Sequence, residues 1–136
     1  MMISTRGRYS LRVMIDLAEN SVGNYISMKD IASRQLLSVK YLERVLSELT
    51  KAGLLEGIQG KGGGYRLTKS PGEYTVGEIL RITEGDLAPV ACLATEAPLC
   101  DRKNQCRTIS MWQDYYQLTK DFFDGITLDS LMRKDS

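Results

Sequence analysis

Hydrophobic and polar residues alternate with a helical period over most of the chain, beginning near the N-terminus. The first apolar stripe consists of Leu11, Met14, Ile15 and Ala18. This spacing predicts a helix from about Thr5 to Asn20, followed by turn residues. Ser27 with Asp30 three positions later resembles a capping box, which predicts a short second helix ending near Gln35.

A third helix is predicted from Val39 to Ala52, with Ser38 as its N-cap and Gly53 as its stop. Its apolar face contains Leu42, Val45, Leu46 and Leu49. Its opposite face contains Lys40, Tyr41, Arg44, Ser47 and Lys51. Two short helices separated by a few residues have helix-turn-helix spacing, so this polar face is a candidate DNA-binding surface. An ordinary solvent-exposed face is the alternative.

A glycine-rich hairpin follows this helix. Two short strands, Leu54 to Gln59 and Tyr65 to Thr68, flank Gly60–Gly64, which contains four glycines and Lys61. The segment lacks the spacing of a nucleotide phosphate loop and no helix follows it. A basic hairpin directly after a helix-turn-helix is typical of a wing that lies along the DNA backbone or in the minor groove.

The C-terminal half predicts three more helices. Thr75 caps the first of these helices, which ends near Gly85. The second is long and runs from about Arg107 to Asp124, and the third is short and runs from Leu128 to about Met132. Apolar and aromatic residues cover about half the circumference of the long helix: Ile109, Met111, Trp112, Tyr115, Tyr116, Leu118, Thr119, Phe122 and Phe123. Such a broad face predicts two adjoining seams, one against its own domain and one against a second copy. A single broad core face is the alternative.

Composition places these elements in one globular domain. The chain has 136 residues, 43% hydrophobic and 26% charged, with no apolar run long enough to cross a membrane and no signal-peptide core. We therefore expect a cytoplasmic protein. Residues 1–70 carry 11 Lys/Arg and 6 Asp/Glu, a net charge of +5, whereas residues 71–136 carry 7 and 11, a net charge of −4. A basic N-terminal half indicates a polyanionic partner.

The chain contains no histidine. Its absence excludes Ser-His-Asp and Cys-His catalysis and histidine-ligated zinc, and no paired carboxylates or nucleotide loop replace them, so we expect no enzyme.

Three cysteines, Cys92, Cys100 and Cys106, lie within fifteen residues, separated by seven and five positions. An odd number of cysteines disfavours a disulfide framework, and the spacing is not that of a zinc ribbon or a thioredoxin-like pair. Three thiolates on one loop suit a thiophilic centre such as an iron–sulfur cluster. A thiol redox switch, another metal, or no chemistry are the alternatives from spacing alone.

Six motifs in order resemble the Rrf2 family of winged-helix regulators, the group that includes IscR, NsrR and CymR, and most of all its IscR type. The motifs span nearly the whole chain: Ile3–Tyr9, Ser38–Glu43, Gly60–Tyr65, Val76–Ile79, Trp112 and Ile126–Leu128. The resemblance implies a mainly α fold with a small β-wing, a winged helix-turn-helix plus a long C-terminal dimerisation helix, and a homodimer. It also implies that Cys92, Cys100 and Cys106 hold an iron–sulfur cluster, of the [2Fe–2S] type.

The chain departs from this family at three positions. Ile109 stands where the [2Fe–2S] type has a histidine ligand, and Arg8 stands where NsrR has an aspartate in its first helix. The fourth ligand is therefore open among Glu96, Asp101, Thr108, a solvent molecule and a group from the other subunit. Gln59 stands where an arginine often precedes the wing glycines, which leaves the operator preference open.

We therefore expect three parts: a winged helix-turn-helix domain in residues 1–84, a cysteine-bearing sensor loop in 85–106, and a dimerisation helix with a tail in 107–136. The chain would be a homodimeric regulator, such as a repressor, of iron–sulfur cluster biogenesis genes. It would bind a palindromic duplex with half-sites ~34 Å apart. The expected DNA-binding residues are Arg6, Arg8, Ser38, Lys40, Tyr41, Glu43, Arg44, Ser47, Gln59 and Lys61.

Two other functions stay open. The first is a thiol-based or partner-dependent regulator of cysteine metabolism or stress genes. The second, from a different class, is an iron–sulfur electron carrier, which has no need of a recognition face or a wing.

Overall fold

The computed structural model of the protein describes residues 2–20, 23–94 and 105–133, and is mainly helical with a small sheet. Its α-helices are α1 (Thr5–Asn20), α2 (Met28–Gln35), α3 (Val39–Lys51), α4 (Val76–Glu84) and α5 (Ile109–Asp124). Its strands β1 (Leu55–Ile58) and β2 (Gly64–Leu67) form one antiparallel hairpin. The expected fold class, mainly α with a β-wing, is confirmed.

Short polar side chains fix the starts of three helices. The hydroxyls of Ser27, Ser38 and Thr75 each accept a hydrogen bond, 3.1 Å long, from the backbone N–H three residues later. Each cap satisfies one of the N–H groups that a helix start leaves without a partner. The last predicted helix differs, because Leu128–Leu131 is a 3₁₀ helix of four residues. A segment this short cannot build an α-helical hydrogen-bond ladder.

The main core lies between α1 and α3. The four apolar residues predicted for α3 are all fully buried there, against Val13, Met14 and Leu17 of α1. Leu128, from the far end of the chain, is also fully buried in this core. The backbone N–H of Leu128 donates to Tyr74 O, and that of Val76 donates to Ile126 O. The C-terminal segment therefore packs back against the core between α1 and α3.

The base of the wing is fixed to this core at two places. Ile26 and Tyr65 exchange two backbone hydrogen bonds of 2.8 Å, which adds a bridge beside β2. The buried Tyr74 hydroxyl accepts from Thr68 N and Lys69 N and donates to Leu54 O, at 2.8–3.0 Å. The hairpin therefore leaves the domain in one defined direction.

The helix-turn-helix is held by a buried carboxylate. Asp16 of α1, 2% exposed, accepts hydrogen bonds from the Arg34 guanidinium at 2.8 and 2.9 Å and from Gln35 Nε2 at 2.8 Å. Burying a charge is tolerated when it is paired and hydrogen-bonded, as it is here. Leu36 then ends α2 in the left-handed conformation, with φ 55°.

Helix α5 packs against α4 with one side only. Tyr116 and Phe123 contact a second, smaller core made of Val76, Leu80 and Leu87. The Arg81 guanidinium donates two hydrogen bonds, 2.7 and 2.9 Å long, to Asp124. This Arg81–Asp124 pair and the apolar contacts hold the C-terminal half of α5 on the domain.

Candidate nucleic-acid interface and cysteine segment

The outer face of α3 is an exposed polar surface. Lys40, Glu43, Arg44, Ser47 and Lys51 are all exposed, while the opposite side of the helix is buried. Within the part of the chain that the structure describes, Lys40, Arg44 and Lys51 form no ion pair. Their charge is therefore available to an anionic partner. Such a rigid helix face matches the element that helix-turn-helix proteins place in the major groove.

A groove of about 330 Å³ separates α3 from the wing. Its walls are Glu43, Ser47, Thr50 and Lys51 on the helix and Gly57, Ile58, Gln59 and Tyr65 on the hairpin. Lys61 and Gln59 are exposed at the wing tip. Gly60 and Gly62 have φ of 97° and 80°, a conformation that side chains disfavour, so the tip requires glycine. The α3 face and the wing thus form one continuous surface.

Sequence reasoning did not single out three residues of this groove, Thr50, Gly57 and Ile58. Nothing in the sequence marks these three residues. Ile58 stands out only in the structure, as an apolar strand residue that is 49% exposed. The groove is formed by two elements that meet only in the folded chain, so a helix projection could not reveal the wall that the wing supplies.

Two predicted DNA-binding residues of α3 also serve the protein itself. The Ser38 hydroxyl is the N-cap of the helix. Tyr41 is half-buried, and its ring lies edge-on to Tyr9 of α1, with centroids 5.6 Å apart. Arg12 lies over the other ring, 4.9 Å from the Tyr9 centroid. The first turn of α3 is therefore rigidly attached to α1.

The two arginines predicted near the start of α1 lie in different environments. Arg8 is exposed, and its guanidinium contacts only Thr5 Oγ1, at 3.3 Å, among the described residues. The Arg6 guanidinium instead donates to Thr83 O of α4 at 2.9 Å and pairs with Glu48 of α3 at 3.3 Å. Both arginines are exposed, with the Arg6 side chain 49% accessible, but the Arg6 guanidinium is already bound to a carbonyl and a carboxylate of its own chain.

Two of the three cysteines lie in the described residues. Cys92 is exposed in a short 3₁₀ helix, Ala91–Leu93, and Cys106 is half-buried with its Sγ 3.5 Å from Thr108 Oγ1. Neither is in a disulfide. Cys100 lies outside the described residues, as do Glu96 and Asp101, and the described residues alone contain no group of three or more candidate metal ligands.

The donor chemistry of the segment fits a thiophilic cofactor. Cys92 and Cys106 supply sulfur that no disulfide consumes, and Cys100 lies between them in sequence. Thiolate sulfur is the ligand that iron–sulfur clusters require. Ile109, the first residue of α5, offers no donor atom, whereas Thr108 places a hydroxyl beside Cys106.

Helix α5 leaves a second apolar seam uncovered in the single chain. Its residues are Met111 (54% exposed), Tyr115 (45%), Leu118 (70%) and Phe122 (62%). They are spaced by four, three and four positions, the heptad pattern by which helices pack against each other. Of the two seams expected from the sequence, the one against the chain's own domain packs on α4, and the one expected against a second copy is exposed in the single chain.

No helix within the described ranges has the length and apolar character needed to cross a bilayer.

Comparisons with known proteins place the chain among transcriptional regulators. The sequence profile of the Rrf2 family, described as an iron-dependent transcriptional regulator, matches residues 3–134. The HTH-type transcriptional regulator IscR of Aliivibrio salmonicida is 35% identical over 132 residues, which is 97% of this chain and 77% of the relative.

Two solved structures have the same fold at comparable identity. CymR of B. subtilis, called the global cysteine regulator, superposes with a TM-score of 0.77 at 38% identity, covering 96% of this chain and 95% of that one. IscR of T. potens superposes with a TM-score of 0.72 at 30% identity, covering 99% and 94%.

Proposed function

This chain belongs to the Rrf2 family of transcriptional regulators, and from that premise we propose that the α3 face and the wing together read a specific DNA sequence. The observation that supports this most is the row of exposed cations on α3, which form no ion pair with any described residue, beside a glycine-tipped basic wing. The helix occupies the major groove, and the wing follows the sugar-phosphate backbone.

The residue types on this surface suit distinct roles. Lys40 and Arg44 donate to guanine edges or to phosphates, and Glu43 accepts from the amino group of cytosine. Ser38, Tyr41 and Ser47 add hydroxyls at the same side of the helix. Lys61 and Arg8 bind phosphates. Gln59 has no charge and contacts the DNA only through hydrogen bonds of its side-chain amide.

Salt-dependent DNA binding tests this interface. The protein first selects a palindromic duplex from a random pool. Its affinity for that duplex is then measured by fluorescence anisotropy at salt concentrations between about 50 and 200 mM. Lys61→Gln should lower the slope of log affinity against log salt by about 0.9, because one phosphate contact is lost. Lys120→Gln, on α5, is the matched control and should leave the slope unchanged. A wild-type protein without salt-dependent binding would refute the interface.

We further propose that the cysteine segment is the sensor, with Cys92, Cys100 and Cys106 holding an iron–sulfur cluster of the [2Fe–2S] type. When bound, such a cluster would supply a group that is lost when iron is scarce and oxidised when oxygen is present. The cysteines anchor it, and Thr108, whose hydroxyl lies 3.5 Å from Cys106 Sγ, is the fourth-ligand candidate that belongs to the described residues. The genes controlled would be those of iron–sulfur cluster biogenesis, as the iron-dependent character of the family suggests.

Anaerobic purification with iron and sulfide analysis tests this sensor. We expect near-stoichiometric iron and sulfide in the wild type and their loss in Cys92→Ala. Thr108→Val separates the two kinds of donor, since it removes a hydroxyl and leaves every thiol in place. An iron-free wild type that cannot be reconstituted would refute the cluster and leave the DNA interface untouched.

The second candidate is a thiol-based regulator of cysteine metabolism. The likeness to CymR favours it, because that protein is named a cysteine regulator and shares 38% identity with this chain. In that case oxidation of Cys92 and Cys106, neither of which is in a disulfide, would change DNA affinity without any bound iron. DNA binding of iron-free protein, measured with and without a thiol oxidant, distinguishes the thiol-based regulator from the iron–sulfur sensor, because only the former should respond to the oxidant.

The exposed seam of α5 supports a homodimer in which residues 107–136 form the interface and residues 1–84 bind DNA. Residues 85–106 connect these two parts in sequence, and a change in this segment would alter the spacing of the two α3 helices. Two-fold symmetry requires a palindromic operator. A regulator of this kind acts in the cytoplasm, where the DNA is.

A further inference from the structure

Arg6 joins three helices. It belongs to the first turn of α1, yet its Nη2 donates to Thr83 O near the end of α4 and its Nη1 pairs with Glu48 Oε1 of α3. These contacts are 2.9 and 3.3 Å long. We call this arrangement the Arg6 bridge. A flexible lysine cannot reproduce it, because only a guanidinium presents several donors in a fixed plane.

Glu48 depends on the Arg6 bridge. Its Oε2 is buried and has no hydrogen-bond partner, and Arg6 is its only ion-pair partner among the described residues. Removing one member of a partly buried pair leaves the other charge uncompensated, so Glu48 would turn toward solvent and the contact between α1 and α3 would loosen. Glu48 lies one turn beyond Arg44 on α3, so such a movement would displace the proposed reading surface.

The other end of the bridge is equally constrained. Thr83 lies in the last turn of α4, where backbone carbonyls lack helical partners, and Arg6 satisfies one of them. The neighbouring Glu84 accepts from Ser4 N and Ser4 Oγ, at 3.1 and 2.6 Å. Gly7 packs so closely that any Cβ there would meet the Glu84 carboxylate. The α1–α4 contact therefore has little freedom to adjust.

We propose that Arg6 is a positioning residue for DNA reading, which holds α3 at a fixed place relative to α4 and does not bind phosphate. The proposal rests on the DNA-binding function proposed above. It also replaces the expectation from sequence that Arg6 contacts the DNA backbone. Arg8, exposed and two residues further along, takes that role alone.

Three variants at the bridge test this assignment: Arg6→Met, Arg6→Lys and Glu48→Ala. A positioning role predicts that each lowers affinity for the selected palindromic duplex by about 5- to 30-fold. Affinity for a random duplex of the same length, and the salt slope, should stay unchanged. The double variant Arg6→Met with Glu48→Ala should lose no more than either single one, because both act through one contact.

If Arg6 instead binds a DNA phosphate, the three variants should give different results. Arg6→Lys would then keep its affinity, Arg6→Met would lower the salt slope by about 0.9, and Glu48→Ala would bind more tightly because a negative charge is gone. Any of these results overturns the proposal. Arg8→Gln is the matched control, since it should lower the slope and affect both duplexes alike.

The experiments distinguish a failure of the proposed DNA-binding function from a failure of the positioning role of Arg6. If the wild type selects no duplex, DNA reading itself is refuted. The bridge is then tested by urea unfolding of the same two single variants and the double variant. Additive losses of stability would overturn the coupling between Arg6 and Glu48, and non-additive losses would support it.

Discussion

At the scale of the residue, Leu36 is the most unusual position of the helix-turn-helix. It has φ 55° and is 90% exposed, so it adopts a left-handed conformation without gaining any packing. This conformation costs a residue with a Cβ about 1–2 kcal/mol, and glycine adopts it freely.

Leu36→Gly should therefore raise the free energy of unfolding by about 0.5–1 kcal/mol, after the greater flexibility of unfolded glycine is deducted. Urea denaturation measures this change. Leu36→Ala is the control, because alanine keeps the Cβ and should give no gain. A loss of stability in the glycine variant would mean that the Leu36 side chain makes a contact that matters.

Asp124 is the carboxylate whose titration is most clearly affected by the fold. The two hydrogen bonds from the Arg81 guanidinium lower the pKa of Asp124, with a smaller lowering from the charge of Lys120. A carboxylate with a lowered pKa stabilises the fold above its unfolded pKa, about 3.9, and this contribution disappears as the pH falls through the folded value.

The stability difference between wild type and Asp124→Asn should therefore be constant from pH 5 to 8 and shrink below about pH 4. Because both side chains are more than a third exposed, we expect at most about 1 kcal/mol. Thermal unfolding at several pH values measures it. Asp114→Asn, at an exposed position of α5, is measured in parallel as the matched control for removing one carboxylate. A difference that grows in acid would contradict the pairing.

At the scale of the element, the wing depends on one buried hydroxyl. Tyr74 binds Leu54, which precedes β1, and Thr68 and Lys69, which follow β2, so its hydroxyl joins the two ends of the hairpin base. Tyr74→Phe leaves two backbone N–H groups without that acceptor, at a cost of about 1–3 kcal/mol.

The same substitution should lower DNA affinity, since the wing base would lose its fixed direction. Chemical denaturation and anisotropy on the selected duplex measure the two effects. Tyr25→Phe is the matched control, because the half-buried Tyr25 ring lies under Arg66 and no hydrogen bond to its hydroxyl is present among the described residues. If Tyr74→Phe matched that control in stability, the hydroxyl would be unimportant to the wing.

The elements themselves could be predicted because their signals are local. Ser27, Ser38 and Thr75 each bond to a backbone group three residues away, so the sequence next to each cap suffices to place it. Leu36 could not be foreseen in this way, since a leucine does not indicate a left-handed turn. Nor could the Arg6 bridge, because its partners are 42 and 77 positions away in the chain.

At the scale of the whole molecule, the homodimer proposed above uses the exposed seam of α5 as its interface. Leu118 is its most exposed member, at 70%. Leu118→Asp would place a charge at the centre of the proposed apolar interface, so we expect this variant to be a monomer and the wild type to be a dimer. Size-exclusion chromatography with light scattering measures the mass.

Such a monomer should keep its fold, because Leu118 contacts neither core, and should bind the palindromic duplex far more weakly. Gln113→Asp, on the exposed polar side of α5, is the control and should remain dimeric. A wild type that is itself monomeric at micromolar concentration would refute the dimer. The apolar arc of α5 could be predicted from sequence, but which half faces α4 depends on Tyr116 and Phe123 meeting Leu80 and Leu87 in space.

The attachment of α5 at one end has a mechanical consequence. Asp124 and Ile126 fix its C-terminal end to α4 through side-chain and backbone hydrogen bonds, while its N-terminal end follows Cys106 and Thr108. Sixteen residues make a rod about 24 Å long. With the pivot at Asp124, a tilt of roughly 10° displaces the far end by about 4 Å. In the proposed sensor, a displacement beside Cys106 would therefore be applied at the end of α5 farthest from the pivot, where a given force exerts the largest torque.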